Sequence, residues 1–195
     1  MDFVLEIPNN LSPEKCDEMI ELFEKDDRRT PGVTGDDKKI GPVKTSLDLY
    51  ISNLEGGVWD DIDKYLSEQL TKGLDKYRAH IYDVCGVRDY NFNSGYDSGY
   101  QIQRTDVGGY YSWHHDCDYH ARRVMTFIWY LNDIDITRFG GATAFHPKVG
   151  GGGLIKPEKG KLLLFPATWT YVHSGMPYVN PDASKYICTG WIHVP

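Results

Sequence analysis

Residues 110–116 read Tyr-Tyr-Ser-Trp-His-His-Asp, an aromatic stretch that ends in three side chains able to bind a metal. On a β-strand, side chains two positions apart share a face. His114 and Asp116 therefore point the same way and His115 points the other. One imidazole and one carboxylate supply two ligands, and the third has to come from elsewhere in the chain. His173, in FPATWTYVHSG (165–175), follows the apolar run KLLLF (161–165) and is the candidate. Two histidines and one carboxylate leave three adjacent positions open on iron(II), enough for a chelating cosubstrate and oxygen. An HxD triplet alone is a weak signal, because such pairs are common on surfaces. Its weight comes from the sequence around it.

Outward from this stretch, the second half of the chain alternates short apolar segments with turns. YQIQR (100–104), VMTFIWYL (124–131), ATAFH (142–146), KLLLF (161–165) and KYICTGWIHV (185–194) are separated by runs rich in Gly, Pro, Asn and Asp. Strands at this spacing suggest a sandwich or barrel rather than a parallel sheet. The first half carries two helices. Ser12-Pro13 is a hydroxyl cap followed by a first-turn proline, ahead of Cys16, Met19, Ile20 and Phe23 at helical spacing. A longer helix is expected after Ser52-Asn53, with an apolar stripe of Val58, Trp59, Ile62, Leu66, Leu70, Leu74, Tyr77 and Ile81 that packs on a sheet. Residues 43–51 alternate with period two and read as a strand. The whole is an α+β chain, mainly β, in one domain over 1–195: helical support and first strands over about 1–98, a β core over about 99–195. Residues 28–42 and 86–99 are long polar connections, candidate lids. Gly150–Gly153 reads as a hairpin tip and not a phosphate loop, since no GKS or GKT follows.

Composition narrows the function classes. A net charge of -7 gives no support for nucleic-acid binding, which normally shows a basic face. No apolar run is long enough to span a bilayer, and the first residues lack a signal-peptide pattern, so no membrane and a cytoplasmic location are expected. Cys16, Cys85, Cys117 and Cys188 form no CxxC pair and are expected to be free thiols.

Residues 100–193 resemble the 2-oxoglutarate/iron(II) oxygenase superfamily, in its prolyl 4-hydroxylase-like branch. The segments that carry the resemblance are Tyr111-Ser-Trp-His114-His-Asp116, Phe127-Ile-Trp-Tyr130-Leu-Asn132, Gly140-Gly-Ala-Thr143-Ala-Phe145, the strand before His173, and Lys185 twelve positions after that histidine. The resemblance implies a double-stranded β-helix, a cupin-like jelly roll with the site in its mouth. It implies iron(II) held by His114, Asp116 and His173, with 2-oxoglutarate and O2 as cosubstrates and ascorbate to keep the iron reduced. It also implies hydroxylation of an unactivated C–H bond, most simply in a prolyl residue of a peptide or protein, with release of succinate and CO2.

Lys185 has a physical argument of its own. It shares a strand face with Ile187, Thr189, Trp191 and His193, and a buried lysine there needs an anionic partner. The far carboxylate of 2-oxoglutarate would be that partner, with Tyr130, Thr105 and Thr189 as further cosubstrate contacts. Thr105 stands nine positions before His114, where the branch often has tyrosine. Tyr111, Trp113, Trp191 and Lys44, the last in a Lys44-Thr45-Ser46 segment similar to an Arg-Thr-Ser near the branch's peptide groove, are candidate substrate contacts. The tyrosines of 86–100 could add to an aromatic groove. Asp118 is a decoy for Asp116 or an outer acceptor. His80, His146 and His193 are read as structural. Hydroxylation of a free amino acid, nucleobase or other small molecule, a non-catalytic jelly-roll binding module and a zinc hydrolase are the alternatives. The missing HExxH motif weighs against the last.

Overall fold

The computed structural model describes residues 2–34, 43–54, 56–88, 95–118, 120 and 122–195. Two antiparallel sheets face each other. The larger runs β1 (Leu5–Ile7), β10 (Leu162–Pro166), β7 (Arg123–Tyr130), β12 (Lys185–His193), β5 (Gln101–Thr105), β3 (Leu47–Tyr50) and β2 (Thr30–Pro31), with β4 (Tyr96–Asp97) against β12. The smaller runs β6 (Tyr111–His114), β11 (His173–Gly175), β8 (Thr143–Phe145) and β9 (Leu154–Ile155). This is the expected double-stranded β-helix. The five segments expected as strands in the second half are β5, β7, β8, β10 and β12, each within a residue of its expected end. Only Leu47–Tyr50 of the expected 43–51 strand is continuous; upstream, Lys44 makes an isolated bridge to Tyr111. Of the two long polar connections, residues 35–42 and 89–94 lie outside the described residues, and with them the middle or end of each candidate lid.

The central strands are apolar on both faces because they separate two cores. In β7, Met125, Phe127 and Trp129 join the cluster beneath the helices, while Ile128 and Tyr130 turn into the space between the sheets. In β10, Leu162 and Leu164 go to the helices, and Leu163 and Phe165 go between the sheets. A run such as LLLF is what period-two packing demands of a strand covered on both sides.

Helix α1 (Pro13–Lys25) starts as its sequence predicts: Ser12 Oγ accepts from Lys15 N at 3.3 Å. Helix α2 spans Val58–Cys85. It begins after Gly57, not after Ser52-Asn53, which sit in a 3-10 turn (Ile51–Asn53). Val58 is 41% exposed and so is not part of the buried stripe. The stripe gains Gly73 instead. A Cβ there would stand 2.4 Å from Leu162 Cδ2, so the missing side chain is what lets α2 lie close against β10. At its end, Gly86 adopts a left-handed φ of 72° and returns its N–H to Tyr82.

Valine at Gly73 is expected to cost about 1–3 kcal/mol through overpacking, although valine is no worse a helix former than glycine. The expected readout is a lower urea midpoint at unchanged m-value; an unchanged midpoint would contradict the close packing.

Candidate active site

Strand pairing brings the distant ligands together. In the β6–β11 ladder, His173 stands directly opposite His114, with ring centroids 4.2 Å apart. Asp116 lies two residues past the end of β6, so its place rests on the turn after the strand rather than on strand parity. Its Oδ1 is 3.7 Å from His114 Nε2 and its Oδ2 3.6 Å from His173 Nε2. One ligand atom from each of the three lies within 4.8 Å of the others. His115 is exposed, as its parity predicts, and Asp118 is not part of the cluster.

Both imidazoles are fixed from behind. His114 Nδ1 lies 2.7 Å from Ser112 O and His173 Nδ1 lies 3.0 Å from Tyr171 O. A carbonyl only accepts, so each Nδ1 carries a proton, and it is Nε2 of each ring that lies beside the Asp116 carboxylate. Tyr111 stacks on His114 at 3.6 Å, and Phe165 meets His173 edge-on at 4.8 Å. Asp116 Oδ2 accepts from Thr126 Oγ1 at 2.6 Å. The indole N–H of Trp191 also faces Asp116, outside hydrogen-bond geometry.

The charges suit a cation. Burial, reinforced by His173, pushes His114 down to about 4 against the pull of Asp116, so its imidazole is neutral at pH 7. Burial alone would raise the Asp116 carboxyl. The two imidazoles, the Thr126 hydroxyl and the Trp191 indole outweigh it and hold the group below the ordinary range. Neutral imidazoles and an ionised carboxylate are the protonation states that bind metal.

A cavity opens beside the three ligands. Its wall includes Lys185, Thr105, Thr189, Tyr111, Trp191 and Lys44, six of the eight further residues singled out from the sequence. Tyr111 faces in because of a β-bulge. Two residues of β6, Ser112 and Trp113, oppose the single Ser174 of β11 between the His114–His173 and Tyr111–Gly175 pairs, which reverses the parity of Tyr111. Burial and the charge on Asp116 push its phenol up to about 12, so it remains protonated. Tyr130 is buried behind the wall, its hydroxyl 2.7 Å from Oγ1 of Thr143, a residue that does line the cavity. Trp113 is 48% exposed, with its ring against His146 outside the cavity. Tyr100 packs on Phe127 and Trp129 under the helices, and Tyr96 stacks on His193, so neither adds to an aromatic groove.

Lys185 is the anomaly of this wall. It is 7% exposed, and among the described residues its Nζ meets only the Gly141 carbonyl, at 2.6 Å. Burial alone pushes its ammonium down to about 8. A buried cation without a counter-ion is costly unless a ligand brings the charge. Thr105 pairs with it across β5 and β12.

Comparison with known proteins agrees with this geometry. The model of the 2OG-Fe(II) oxygenase superfamily matches residues 100–193. Residues 100–193 belong to that superfamily. No curated protein matches the sequence. Among solved structures, the chain is similar to a prolyl hydroxylase from Trichoplax adhaerens in complex with a hypoxia inducible factor oxygen degradation domain peptide fragment, at 20% identity, with a TM-score of 0.78 over 99% of this chain and 84% of that one. It is also similar to a viral collagen prolyl hydroxylase from Paramecium Bursaria Chlorella virus-1 (20% identity, TM-score 0.71, 99% and 97% covered). A Pseudomonas putida prolyl-4-hydroxylase follows (16% identity, TM-score 0.70, 100% and 94% covered). These likenesses establish the fold. The superfamily's iron(II), 2-oxoglutarate and O2 fit the residues present: two imidazoles and a carboxylate converge on one point, and a buried lysine without a carboxylate partner among the described residues stands in the same cavity.

Several residues that support the site's side chains escaped sequence reasoning. Thr126, the hydrogen-bond partner of Asp116, is the one polar residue inside the apolar run VMTFIWYL, and that contrast was the available signal. The buried Asp48 accepts from Lys44 (2.6 Å), Ser46 (2.7 Å) and Gln101 (3.1 Å), so Lys44 reaches the cavity already paired. No short-range pattern announces that network.

Thr126→Val keeps the shape of the side chain but leaves Asp116 Oδ2 without its donor. It is expected to weaken Fe(II) or Mn(II) binding by about 10–100-fold while leaving the far-ultraviolet spectrum unchanged. Unchanged metal affinity would show that the hydroxyl does not orient the carboxylate.

Proposed function

We propose that this oxygenase hydroxylates a prolyl residue of a peptide or protein substrate, with His114, Asp116 and His173 as iron ligands and Lys185 as the anchor of the far carboxylate of 2-oxoglutarate. The observation that carries this reading is the pairing of a three-ligand cluster with an uncompensated buried lysine in one cavity. When bound, the iron supplies the oxidising chemistry, consuming O2 and 2-oxoglutarate and releasing succinate and CO2 as a C–H bond is hydroxylated. The protein's part is to bind, orient and exclude water. Thr105 and Thr189 flank Lys185 with hydroxyls, although Thr189 Oγ1 already donates to Phe127 O at 2.7 Å. Ile128, Ile187 and Trp191 give the cavity dry walls.

Two features favour a peptide. Lys44, Thr45 and Ser46 line the cavity and also border a groove of about 560 Å³ that runs past Pro31, Gly32, Arg104 and Val107. An extended chain could lie in that groove with one side chain entering the cavity. The structurally similar proteins named above are prolyl hydroxylases, one of them with a peptide bound.

A succinate-release assay over proline-containing peptides, free proline and other amino acids, with ascorbate present, tests the substrate. Stimulation by at least one prolyl peptide is expected; stimulation only by a free amino acid or other small molecule would replace the peptide reading.

Lys185→Met tests the anchor. It should raise the KM for 2-oxoglutarate by about 100-fold or more, as loss of a buried charge pair commonly does. In wild type without ligand, the folded lysine loses its proton above about pH 8 whereas the unfolded one keeps it to about 10.4. Between those values the unfolded chain holds more protons, so stability rises with pH. Lys185→Met should therefore be the more stable protein below pH 8 when ligand is absent, and the difference should shrink towards pH 10. A variant less stable than wild type at pH 7 would contradict an uncompensated charge.

A further inference from the structure

A second cation without a carboxylate partner among the described residues stands near the cavity, at the opposite end of β12 from Lys185. Arg123 is the first residue of β7, and its neighbours in that strand would normally turn it away from the site. Met125, Phe127 and Trp129 all face the helices, and period two would send Arg123 with them. The β7–β12 register slips at this point: Ile192 pairs with Met125, but His193 pairs with Arg123. Val124 is the extra residue of a β-bulge and stays with the helix core. Arg123 is thereby turned onto the face of Trp191, a residue of the cavity wall. The preceding Arg122 has a φ of 53°, a left-handed conformation unusual outside glycine, so the chain accepts backbone strain to enter the strand this way.

The guanidinium lies 3.8 Å from the centre of the Trp191 ring. The same indole turns its N–H towards Asp116, which ties the arginine to the wall of the site. Arg28, Arg29, Arg78 and Arg104 each meet a carboxylate. Among the described residues Arg123 meets none, and its Nε is buried without an acceptor. A guanidinium held over an aromatic ring keeps donors with which it can grip a carboxylate through two parallel hydrogen bonds.

That carboxylate cannot be the one anchored by Lys185. Trp191 lies six positions after Lys185 in β12, roughly 20 Å between the two backbone positions of an extended strand. One small dicarboxylate does not span that distance. We infer that Arg123, laid on Trp191 by the β7 bulge, recognises a carboxylate on the substrate. The carboxylate belongs either to an acidic side chain close to the hydroxylated residue or to the free carboxyl end of a small molecule. This inference rests on the oxygenase reading of the site but not on the target being proline.

The test is equilibrium binding to protein loaded with Mn(II) and 2-oxoglutarate. The peptide arm compares prolyl peptides carrying Asp or Glu beside the proline with the same peptides carrying Asn or Gln. The small-molecule arm compares N-acetylproline with its amide. In wild type the acid should bind roughly tenfold more tightly than its amide partner in one arm, and the arm that shows the contrast identifies the source. In Arg123→Gln the contrast should fall to twofold or less while 2-oxoglutarate affinity is retained. No contrast in wild type, no measurable binding of any acid, or a contrast that survives in Arg123→Gln would each overturn the inference. If Arg123→Gln fails to fold, seen as loss of 2-oxoglutarate binding, Arg123→Lys replaces it. That variant keeps the charge without the flat fork and should show a smaller contrast of the same sign; an undiminished one would overturn the assignment. Succinate release measured on the same compounds keeps the readings apart. Binding contrast without prolyl turnover would contradict the prolyl assignment alone, and turnover without contrast would contradict Arg123 alone.

Discussion

The site depends on one cross-strand pair. His114 and His173 are far apart in sequence and directly opposed in the β6–β11 ladder, and each ring is held by a hydrogen bond from Nδ1 to a carbonyl two residues earlier. Register is what makes the pair. A slip of one residue in either strand would turn one imidazole out of the cavity. The regular part of the fold serves this constraint: the two cores on either side of β7 and β10 leave few alternative pairings for the sheets.

The irregular parts do the chemistry's positioning. The β6 bulge brings Tyr111 round to cover the ring of His114, and the β7 bulge brings Arg123 onto Trp191. Between them, Asp116 sits in the turn after β6, supported by Thr126 from the facing sheet. Charge is distributed with the same economy. Asp48 neutralises Lys44 within the protein, whereas Lys185 has only a carbonyl. The proposed roles use that difference: negative charge is received at Lys185, and a cation at the two imidazoles and Asp116. Those opposite demands in one small space distinguish a binding site from a structural polar network.

Much of this was legible in the sequence. The strand segments from 100 onward were clear because each is apolar with period two or apolar throughout, and turns of Gly, Pro, Asn and Asp separate them. His114 and His173 were legible through a motif together with its spacing, and Lys185 through the face it shares with Ile187 and Trp191. The start of α2 was misplaced because Ser52 looks like a cap but hydrogen-bonds Asp63 and the Tyr100 N–H instead. Gly73 was invisible to an apolar pattern although a side chain there would collide with Leu162 of β10. Bulges follow from pairing with a partner strand, so the inward turn of Tyr111 and Arg123 could not be read from either segment alone. Strand parity even succeeded for Asp116 on a false premise, since the residue lies beyond the strand.

The central claim is that three side chains hold iron(II) and leave room beside it for 2-oxoglutarate. Anaerobic titration of the iron(II)-loaded protein with 2-oxoglutarate measures this directly, because chelation of the 2-oxoacid to iron gives a weak visible charge-transfer band. The account predicts a band that saturates at one equivalent in the wild-type protein and is absent from Asp116→Ala and His173→Ala. A band of full intensity in either variant, or none in a wild-type protein that has bound iron, would contradict it.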